Sequence, residues 1–193
     1  MIKHRCPELI EAELTSEQKQ VFNQIKSGPR GRVEGPLRVW LHSPKFAGRA
    51  QALGQFARYD SSLPPQLSEL AILVTARIWG SGYEWQAHAP IAQKAGLDTN
   101  IIERLALGKR PDFIDPLQAV VFAFSVEIHR DRKVSGETYS QALDLLGTAS
   151  VVELVGICGY YTLISMTINA FEVPSGDGPE LPTIETPAHE MFR

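Results

Sequence analysis

The chain has 193 residues, which is enough for one domain with a single hydrophobic core. Its hydrophobic fraction of 44% and charged fraction of 21% are ordinary for globular proteins and argue against a wholly disordered chain. A net charge of −3 argues against binding of nucleic acid through a broadly basic surface.

Several features favour a soluble protein in a reducing, cytoplasmic compartment. The longest apolar runs are interrupted before the roughly 18–20 residues that a membrane span needs. The first residues, MIKHRCPELIEAEL, lack the apolar segment of a secretory signal. Cys6 and Cys158 form neither a CxxC pair nor a metal-ligand spacing. We therefore expect neither a membrane nor nucleic acid as a partner.

The helical period dominates the sequence, and no stretch alternates with period two over a useful length. Capping residues, prolines and glycines predict helices from Thr15 to about Lys26, Ser43 to about Arg58, Pro64 to about Trp79, Ser81 to Gly96, Asp98 to Gly108, Pro116 to about Arg132, Ser135 to Gly147, and about Ser150 to Phe171. Leu37–His42 reads as a short helix or turn. The uncharged stretch from Leu70 to Ala76 indicates a central buried helix. The prediction is an all-α domain with short connections.

Basic residues are concentrated in the first part of the chain. Residues 1–58 hold ten Lys and Arg against five acids, a net charge of +5, so the remaining residues carry −8. This asymmetry is typical of an anion site in that half or of contact between unlike surfaces of two chains, and equally of ordinary solvated faces.

The sequence divides into three segments: a helical N-terminal extension (1–27), a main domain (28–174) and a Pro-rich acidic tail (175–193). We expect the tail to contribute nothing to the core. It is then either disordered or an extended arm that lies on another subunit, with its acids against the basic half of the neighbour.

Glu69, Glu84 and His88 are the candidate catalytic residues. Glu84 and His88 are four residues apart and share the inward face of one helix, while Glu69 lies on an apolar surface of the preceding helix. Burial and neighbouring charges shift carboxyl and imidazole pKa values apart, which is how acid/base pairs are made. Each residue alone also fits a structural role: Glu84 in a capping box with Ser81, His88 as a core histidine, and Glu69 paired with Arg77 or Arg58.

At these residues the sequence resembles the carboxymuconolactone decarboxylase family, which also contains the AhpD-like alkylhydroperoxidases. The resemblance is carried by ELAILVTARIWGSGYEWQAHAPIAQKAGL, by GPRGRVEGPLRVWLHSPKFAGRAQALGQFARY before it and by VVELVGICGYYTLISMTINAFEVP after it, and covers roughly residues 28–174. It implies an all-α AhpD-like fold and ring-like homo-oligomers, commonly trimers or hexamers.

The resemblance also suggests which activity to expect. AhpD-like members use a CxxC pair, a histidine four residues after the second cysteine and an upstream glutamate; here the latter two match His88 and Glu69. Ser81 and Glu84 occupy the cysteine positions, which disfavours alkylhydroperoxidase or peroxiredoxin activity. The decarboxylase branch acts without a metal or organic cofactor on a small carboxylated lactone, in the breakdown of aromatic compounds, and its Glu and His resemble Glu84 and His88.

We therefore predict proton-transfer chemistry on a carboxylated lactone or carbonyl compound, with no cofactor and no metal. His88 is the predicted general acid/base, Glu84 orients it or shares its proton, and Glu69 is the second acid/base group. The predicted substrate-binding residues are the cationic anchors and the aromatic residues near them: Arg30, Arg32, Arg58, Tyr83, Tyr160 and Tyr161.

Two other interpretations remain open. Glu69, Glu84 and His88 are acceptable ligands for iron, manganese or zinc, although bundle di-metal motifs place Glu and His three residues apart and draw carboxylates from four helices. His129, near a helix C-terminus, is explained by the helix dipole. The second interpretation is a non-catalytic helical oligomer that binds a small ligand.

Overall fold

The computed structural model describes residues 5–193, and within that range the helical period gives eight α-helices and no strand. In chain order they are α1 (Ser16–Ser27), α2 (Pro36–Trp40), α3 (Pro44–Gln55), α4 (Pro65–Trp79), α5 (Gly82–Lys94), α6 (Thr99–Ala106), α7 (Pro116–Arg130) and α8 (Gly136–Phe171). The all-α prediction is confirmed for these residues.

Four of the eight helices begin with a side-chain cap, whereas Ser43, the expected cap of α3, makes no such bond. Thr15 and Gln18 form the reciprocal capping box of α1. Asp98, Asp115 and Ser135 accept backbone N–H bonds in the first turns of α6, α7 and α8. Each cap satisfies a helix N–H group that would otherwise lack a partner, which stabilises the helix by about 1 kcal/mol.

Two helices depart from their expected course. Helix α3 ends at Gln55 and continues as a π-helical turn, Phe56–Asp60, instead of remaining α-helical to Arg58. The helices predicted on either side of Gly147 are joined as α8, with Gly147 at φ 77° and ψ 162°. Because that backbone is not helical, α8 consists of two segments that meet at a break, where glycine is the residue that tolerates the positive φ.

Helix α4 lies at the centre of the molecule. All its side chains from Leu67 to Arg77 are buried, and it packs against α5, α7 and α8. The prediction of a central helix from the uncharged stretch Leu70 to Ala76 is confirmed. Burial of this apolar surface, at roughly 25 cal/mol per Å², is the main force that holds the helices together.

Helix α8 is long and apolar enough to cross a membrane by length and composition alone. Polar residues do interrupt its apolar runs, as the sequence shows, but the mean hydropathy of the helix stays high across them. More than half of the apolar window is buried inside the molecule, and the helix contacts α4 and α7. A buried core helix of this kind is weak evidence for a membrane span.

The C-terminal tail, residues 175–193, contributes to the core, contrary to the expectation. Met191 and Phe192 are 6% and 3% exposed, and the backbone N–H of Phe192 donates to a carbonyl after α6 at 2.9 Å. The Arg77 guanidinium donates to the Pro182 carbonyl at 2.7 Å. In this structure the tail packs on its own chain, and the expectation that it adds nothing to the core was wrong.

The three predicted segments share one hydrophobic core. Phe22 of α1 and Phe192 of the tail belong to the same buried cluster as α4. The extension and the tail are therefore not separate units, although residues 1–4 of the predicted extension lie outside the described range.

Candidate acid/base site

Helices α4 and α5 bring Glu69, Glu84 and His88 into direct contact. Nδ1 of His88 lies 2.7 Å from Oε2 of Glu69 on α4. Nε2 of His88 lies 3.0 Å from Oε1 of Glu84, one turn earlier on α5. All three residues are buried, with exposures of 2–4%. We call these three side chains the Glu–His–Glu cluster.

The two contacts determine how many protons the Glu–His–Glu cluster holds. An imidazole between two carboxyl oxygens needs one proton in each hydrogen bond. Either His88 is an imidazolium that donates to two carboxylates, or it is neutral and one carboxyl carries the second proton. Burial lowers the pKa of His88, but the charge and hydrogen bond of Glu69, followed by those of Glu84, raise it to about 9. The imidazolium form therefore dominates at neutral pH.

The capping box predicted at Ser81 does not form. The Ser81 side chain makes no cap bond, and its hydroxyl is buried without a partner among the described residues. Glu84 turns from the helix start to His88. The capping interpretation was wrong because the buried imidazole offers the carboxylate a charge-assisted hydrogen bond, which is stronger than a bond to a neutral amide.

Two other buried titratable groups have structural partners of their own. Arg77 donates to backbone carbonyls and not to Glu69. Nε2 of His129 lies 2.8 Å from Oγ1 of Thr75. Burial, assisted by the charge of Arg132, lowers the pKa of His129 to about 4. The helix-dipole interpretation of this histidine was wrong, because a helix C-terminus favours the imidazolium and this imidazole is neutral.

A cavity of about 340 Å³ is lined by two members of the Glu–His–Glu cluster, Glu84 and His88. Glu69 lies behind the imidazole and is not part of the wall. The predicted substrate-binding residues all line this cavity: Arg30, Arg32, Arg58, Tyr83, Tyr160 and Tyr161. The volume is near the lower end of the range for small-molecule sites. The fold thus brings the predicted acid/base pair and the predicted anchors to one space.

Three arginines give the cavity a basic wall. Nη2 of Arg30 donates to the Tyr160 hydroxyl at 3.3 Å. Arg32 is exposed and pairs with Glu34 at 3.1 Å. Among residues 5–193, no carboxylate lies within ion-pair distance of Arg30 or Arg58. These two guanidinium groups are therefore available to an anionic ligand.

The π-helical turn Phe56–Asp60 places the neighbouring residues Arg58 and Tyr59 on the same cavity wall. Consecutive side chains on a regular α-helix point about 100° apart, so one face rarely carries both. The Arg58 guanidinium lies 5.3 Å from the centroid of the Tyr59 ring, a cation–π contact. π-Helical turns are frequent at functional sites. Tyr59 was not among the predicted site residues, because a regular α-helix was expected to continue up to Arg58.

Two tyrosines of α8 form the wall beside the imidazole. The ring centroid of Tyr161 lies 5.0 Å from that of His88 in an edge-to-face arrangement, and Tyr160 lies 5.3 Å from Tyr161. Burial raises the pKa of Tyr160 to about 12 and that of Tyr161 well above its ordinary value. Both hydroxyls therefore stay protonated at neutral pH and are able to donate a hydrogen bond.

Two glycines allow the residues that line the cavity to pack closely against the backbone. A Cβ on Gly54 of α3 would lie 2.0 Å from the Tyr160 hydroxyl and 2.6 Å from Nη2 of Arg30. Gly35, at φ +53°, lies against the Tyr83 ring, and a Cβ there would be 2.3 Å from that ring. Neither position accepts a side chain without displacing a predicted binding residue.

The remaining wall residues were not among the predicted site residues. Ile91 was recognisable, because it lies three residues after His88 on the same inward face. Ala87 directly precedes His88 on α5, and the others come from the loop before α2, from α2 and from α8: Pro29, Glu34, Pro36, Leu37 and Ile164.

Neither cysteine lines this cavity. Cys158 is buried in α8 with its Sγ 3.7 Å from Oγ of Ser125, and burial raises its pKa to about 11. Burial also raises the pKa of Cys6 near the N-terminus. Because the thiolate is the reactive form of cysteine, these environments disfavour peroxidase chemistry at either thiol.

The Glu–His–Glu cluster suits proton transfer better than metal binding. Within residues 5–193, no group of three or more His, Cys, Asp and Glu side chains has an arrangement that could hold a metal ion. Both ring nitrogens of His88 face carboxylate oxygens at hydrogen-bond distance, so neither is directed at an open position for a metal ion.

Comparison with protein families gives one match. Residues 44–123 match the carboxymuconolactone decarboxylase family. The matched range includes Glu69, Glu84 and His88, but it excludes the wall residues that come from the loop before α2 and from α8. None of the curated protein sequences matches the chain.

Solved structures share the fold at low sequence identity. The alkylhydroperoxidase AhpD core protein of Ralstonia eutropha JMP134 has a TM-score of 0.72 and 15% identity, with coverage of 90% of this chain and 93% of that one. A peroxidase-related protein of Silicibacter sp. TM1040 has a TM-score of 0.70 and 13% identity, with coverage of 89% and 90%. A variant of the debrominase Bmp8 in complex with 2,3,4-tribromopyrrole has a TM-score of 0.72 and 12% identity, with coverage of 91% and 94%. Identities this low establish the AhpD-like fold alone.

Proposed function

We propose that the chain is a member of the carboxymuconolactone decarboxylase family, whose model matches residues 44–123, and that it catalyses cofactor-independent proton transfer on a small carboxylated lactone or carbonyl compound. One observation carries the proposal: a buried histidine held between two carboxylates lines a cavity that also has a basic wall. Proton transfer at a carbon of an anionic substrate needs a proton donor and a cationic group that binds the substrate's negative charge.

The arginines bind the substrate carboxylate. Arg30 and Arg58 lack carboxylate partners among the described residues, and a guanidinium binds a carboxylate through two parallel hydrogen bonds. The Tyr160 hydroxyl accepts a hydrogen bond from Nη2 of Arg30 and so orients the guanidinium group. This arrangement selects anions and sets the substrate's orientation relative to His88.

In a decarboxylation, the bond from the ring carbon to the carboxylate breaks and CO₂ leaves. The bonding electron pair moves to the adjacent carbonyl as an enolate, and the His88 imidazolium then gives a proton to that carbon. The Glu–His–Glu cluster regains its proton from solvent through Glu84, which lines the cavity. One proton is consumed for each CO₂ released, and no oxidant or reductant is required.

Glu69 acts through His88. Its carboxylate hydrogen-bonds Nδ1 from behind the imidazole and does not line the cavity. We therefore assign it as a positioning residue that orients the ring and stabilises the imidazolium, and not as the second acid/base group expected from the sequence.

The test is a paired turnover assay on the parent protein and the His88→Gln variant. One arm follows absorbance and CO₂ release from γ-carboxymuconolactone and a panel of carboxylated lactones and oxo acids. The other follows consumption of an alkyl hydroperoxide with a dithiol reductant. His189→Gln is the matched control, because His189 is exposed on the tail, away from the cavity. Loss of the acid/base group is expected to reduce kcat by 10²–10⁴-fold.

Each outcome separates the candidate functions. Lactone or oxo-acid turnover that is lost in His88→Gln and kept in His189→Gln supports the proposal. Hydroperoxide turnover would favour AhpD-like peroxidase activity and overturn it. No turnover with any probe, together with stabilisation of the fold by an anionic ligand, would favour a non-catalytic binding protein.

We also propose that the chain forms a homo-oligomer, a trimer or a hexamer. An apolar groove between the end of α3 and α8 exposes Leu53 by 49% and Val152 by 66%, and such patches often mark interfaces. Light scattering is expected to give three or six times the 21.4 kDa chain mass. Val152→Glu is expected to yield single chains, and a single-chain mass for the parent would contradict the proposal.

A further inference from the structure

A second cavity, of about 300 Å³, lies next to the acid/base cavity. The two share Tyr83 and Glu34 as wall residues. The second cavity lies between α2, the end of α8 and residues 6–9 of the N-terminal segment. We call it the side cavity.

The chemical character of the side cavity differs from that of its neighbour. Its apolar wall consists of Pro7, Leu9, Val39, Phe171, Val173 and Pro174. The polar tips of Arg38 and His42, which also line it, already bind the backbone carbonyls of Leu9 and Pro7. Those contacts hold the N-terminal segment over the cavity. They also occupy the Arg38 and His42 side chains, so neither is available to bind an anion. Cys6 and the carboxylate-bearing Glu8 and Glu34 complete the lining, and these carboxylates would repel an anion. Because most of the exposed lining is apolar, the side cavity suits an uncharged apolar group.

Tyr83 forms the partition between the two cavities. It is half-buried, and no other residue in the described range hydrogen-bonds its hydroxyl. The ring rests on Gly35, where a Cβ would come within 2.3 Å of it. Because Tyr83 lines both cavities and packing alone holds its ring, rotation of this side chain is the movement that would connect them.

We infer that the side cavity extends the acid/base site and receives an uncharged alkyl or aryl substituent of the anionic substrate, with Tyr83 as the movable partition. The inference that the substrate has an anionic end rests on the proposed function. The inference that it has an apolar end rests on the side cavity alone. Together the cavities fit a carboxylate with one apolar arm, which is larger than an unsubstituted small lactone.

The experiment measures dissociation constants by titration calorimetry for three probes: benzoate, 4-hexylbenzoate and the uncharged 4-hexylbenzyl alcohol. We expect 4-hexylbenzoate to bind at least tenfold more tightly than benzoate, because each buried methylene adds to the apolar transfer free energy. Val39→Trp fills the side cavity and is expected to abolish this gain without changing the affinity for benzoate. Pro174→Trp is a second variant that fills it from the exposed rim, and Ile114→Trp, on a fully exposed position, is the matched control.

Every outcome bears on the inference. A hexyl gain that disappears in both filled variants and persists in Ile114→Trp supports it. Equal affinities for benzoate and 4-hexylbenzoate, or a gain that survives in the filled variants, overturn it and leave the arginine anchor intact. Binding of the alcohol that is lost in Val39→Trp, without binding of either acid, supports the side cavity and refutes the anchor. No binding of any probe refutes both.

Discussion

His88 makes the stability of the fold depend on pH. Its pKa is raised from 6.5 to about 9 in the folded protein, so folding favours the imidazolium. The stabilisation is complete below the unfolded pKa and is lost as the pH rises through about 9. We expect the free energy of unfolding to fall by on the order of 3 kcal/mol between about pH 6 and pH 10.

Urea unfolding at a series of pH values checks this prediction, with His88→Gln as the comparison. The variant lacks the titrating imidazole and is expected to show a flatter dependence over the same range. Parallel curves for the parent and His88→Gln would mean that other groups cause the loss of stability.

Glu69 is expected to hold His88 in its protonated state. Glu69→Gln keeps an oxygen that accepts a hydrogen bond from Nδ1 but removes the negative charge, which contributes more than Glu84 to the raised pKa. We expect the pKa of His88 to fall by at least about one unit. Titration of the imidazole resonances by NMR measures it, and Glu103→Gln on the exposed face of α6 is the control. An unchanged His88 pKa would contradict the assigned positioning role.

The helices differ in how well the sequence predicts them, for physical reasons. Local signals were sufficient where a side-chain cap determines the helix start, as at Thr15, Asp98 and Ser135. They failed at Ser81, because a buried imidazole in the next turn competes with the helix start for Glu84. The π-helical turn after α3 was not predicted either, because it carries no sequence signal that separates it from a regular helix.

The two glycines of α3 give a matched test of how tightly this helix approaches the site. Gly54→Ala would bring a Cβ within 2.0 Å of the Tyr160 hydroxyl, whereas at Gly48 the nearest atom would be 3.7 Å away, an ordinary contact. Alanine favours a helix over glycine by up to about 1 kcal/mol. We therefore expect Gly48→Ala to be neutral or stabilising, and Gly54→Ala to destabilise the fold and weaken binding of benzoate.

Thermal unfolding and calorimetric titration with benzoate measure both effects. Equal behaviour of the two alanine variants would show that the Arg30–Tyr160 pair shifts without cost and does not contribute to the anion site.

Across the full chain, the residues of the acid/base site were easier to predict from the sequence than the structure of the C-terminal tail. Helical spacing placed Glu84 and His88 on one inward face, and the apolar surface around Glu69 placed it opposite them. Arg30 and Tyr160 lie 130 residues apart, and their contact depends on the packing of the loop before α2 against α8. The tail was misjudged from its average composition, because two buried residues near its end are enough to attach a Pro-rich segment to the core.

This attachment predicts that Phe192 stabilises the whole molecule. Its side chain is 3% exposed and meets Phe122 of α7 edge to face, with ring centroids 5.4 Å apart. Phe192→Ala removes that packing and leaves a cavity in a core shared with α7, which is expected to cost about 3 kcal/mol. Phe171→Ala is the control, because Phe171 is 39% exposed and its loss is expected to cost under about 1 kcal/mol. Chemical denaturation measures both variants. Equal, small losses would mean that the tail detaches in solution, and the expectation of a disordered tail or an arm on a second subunit would then return.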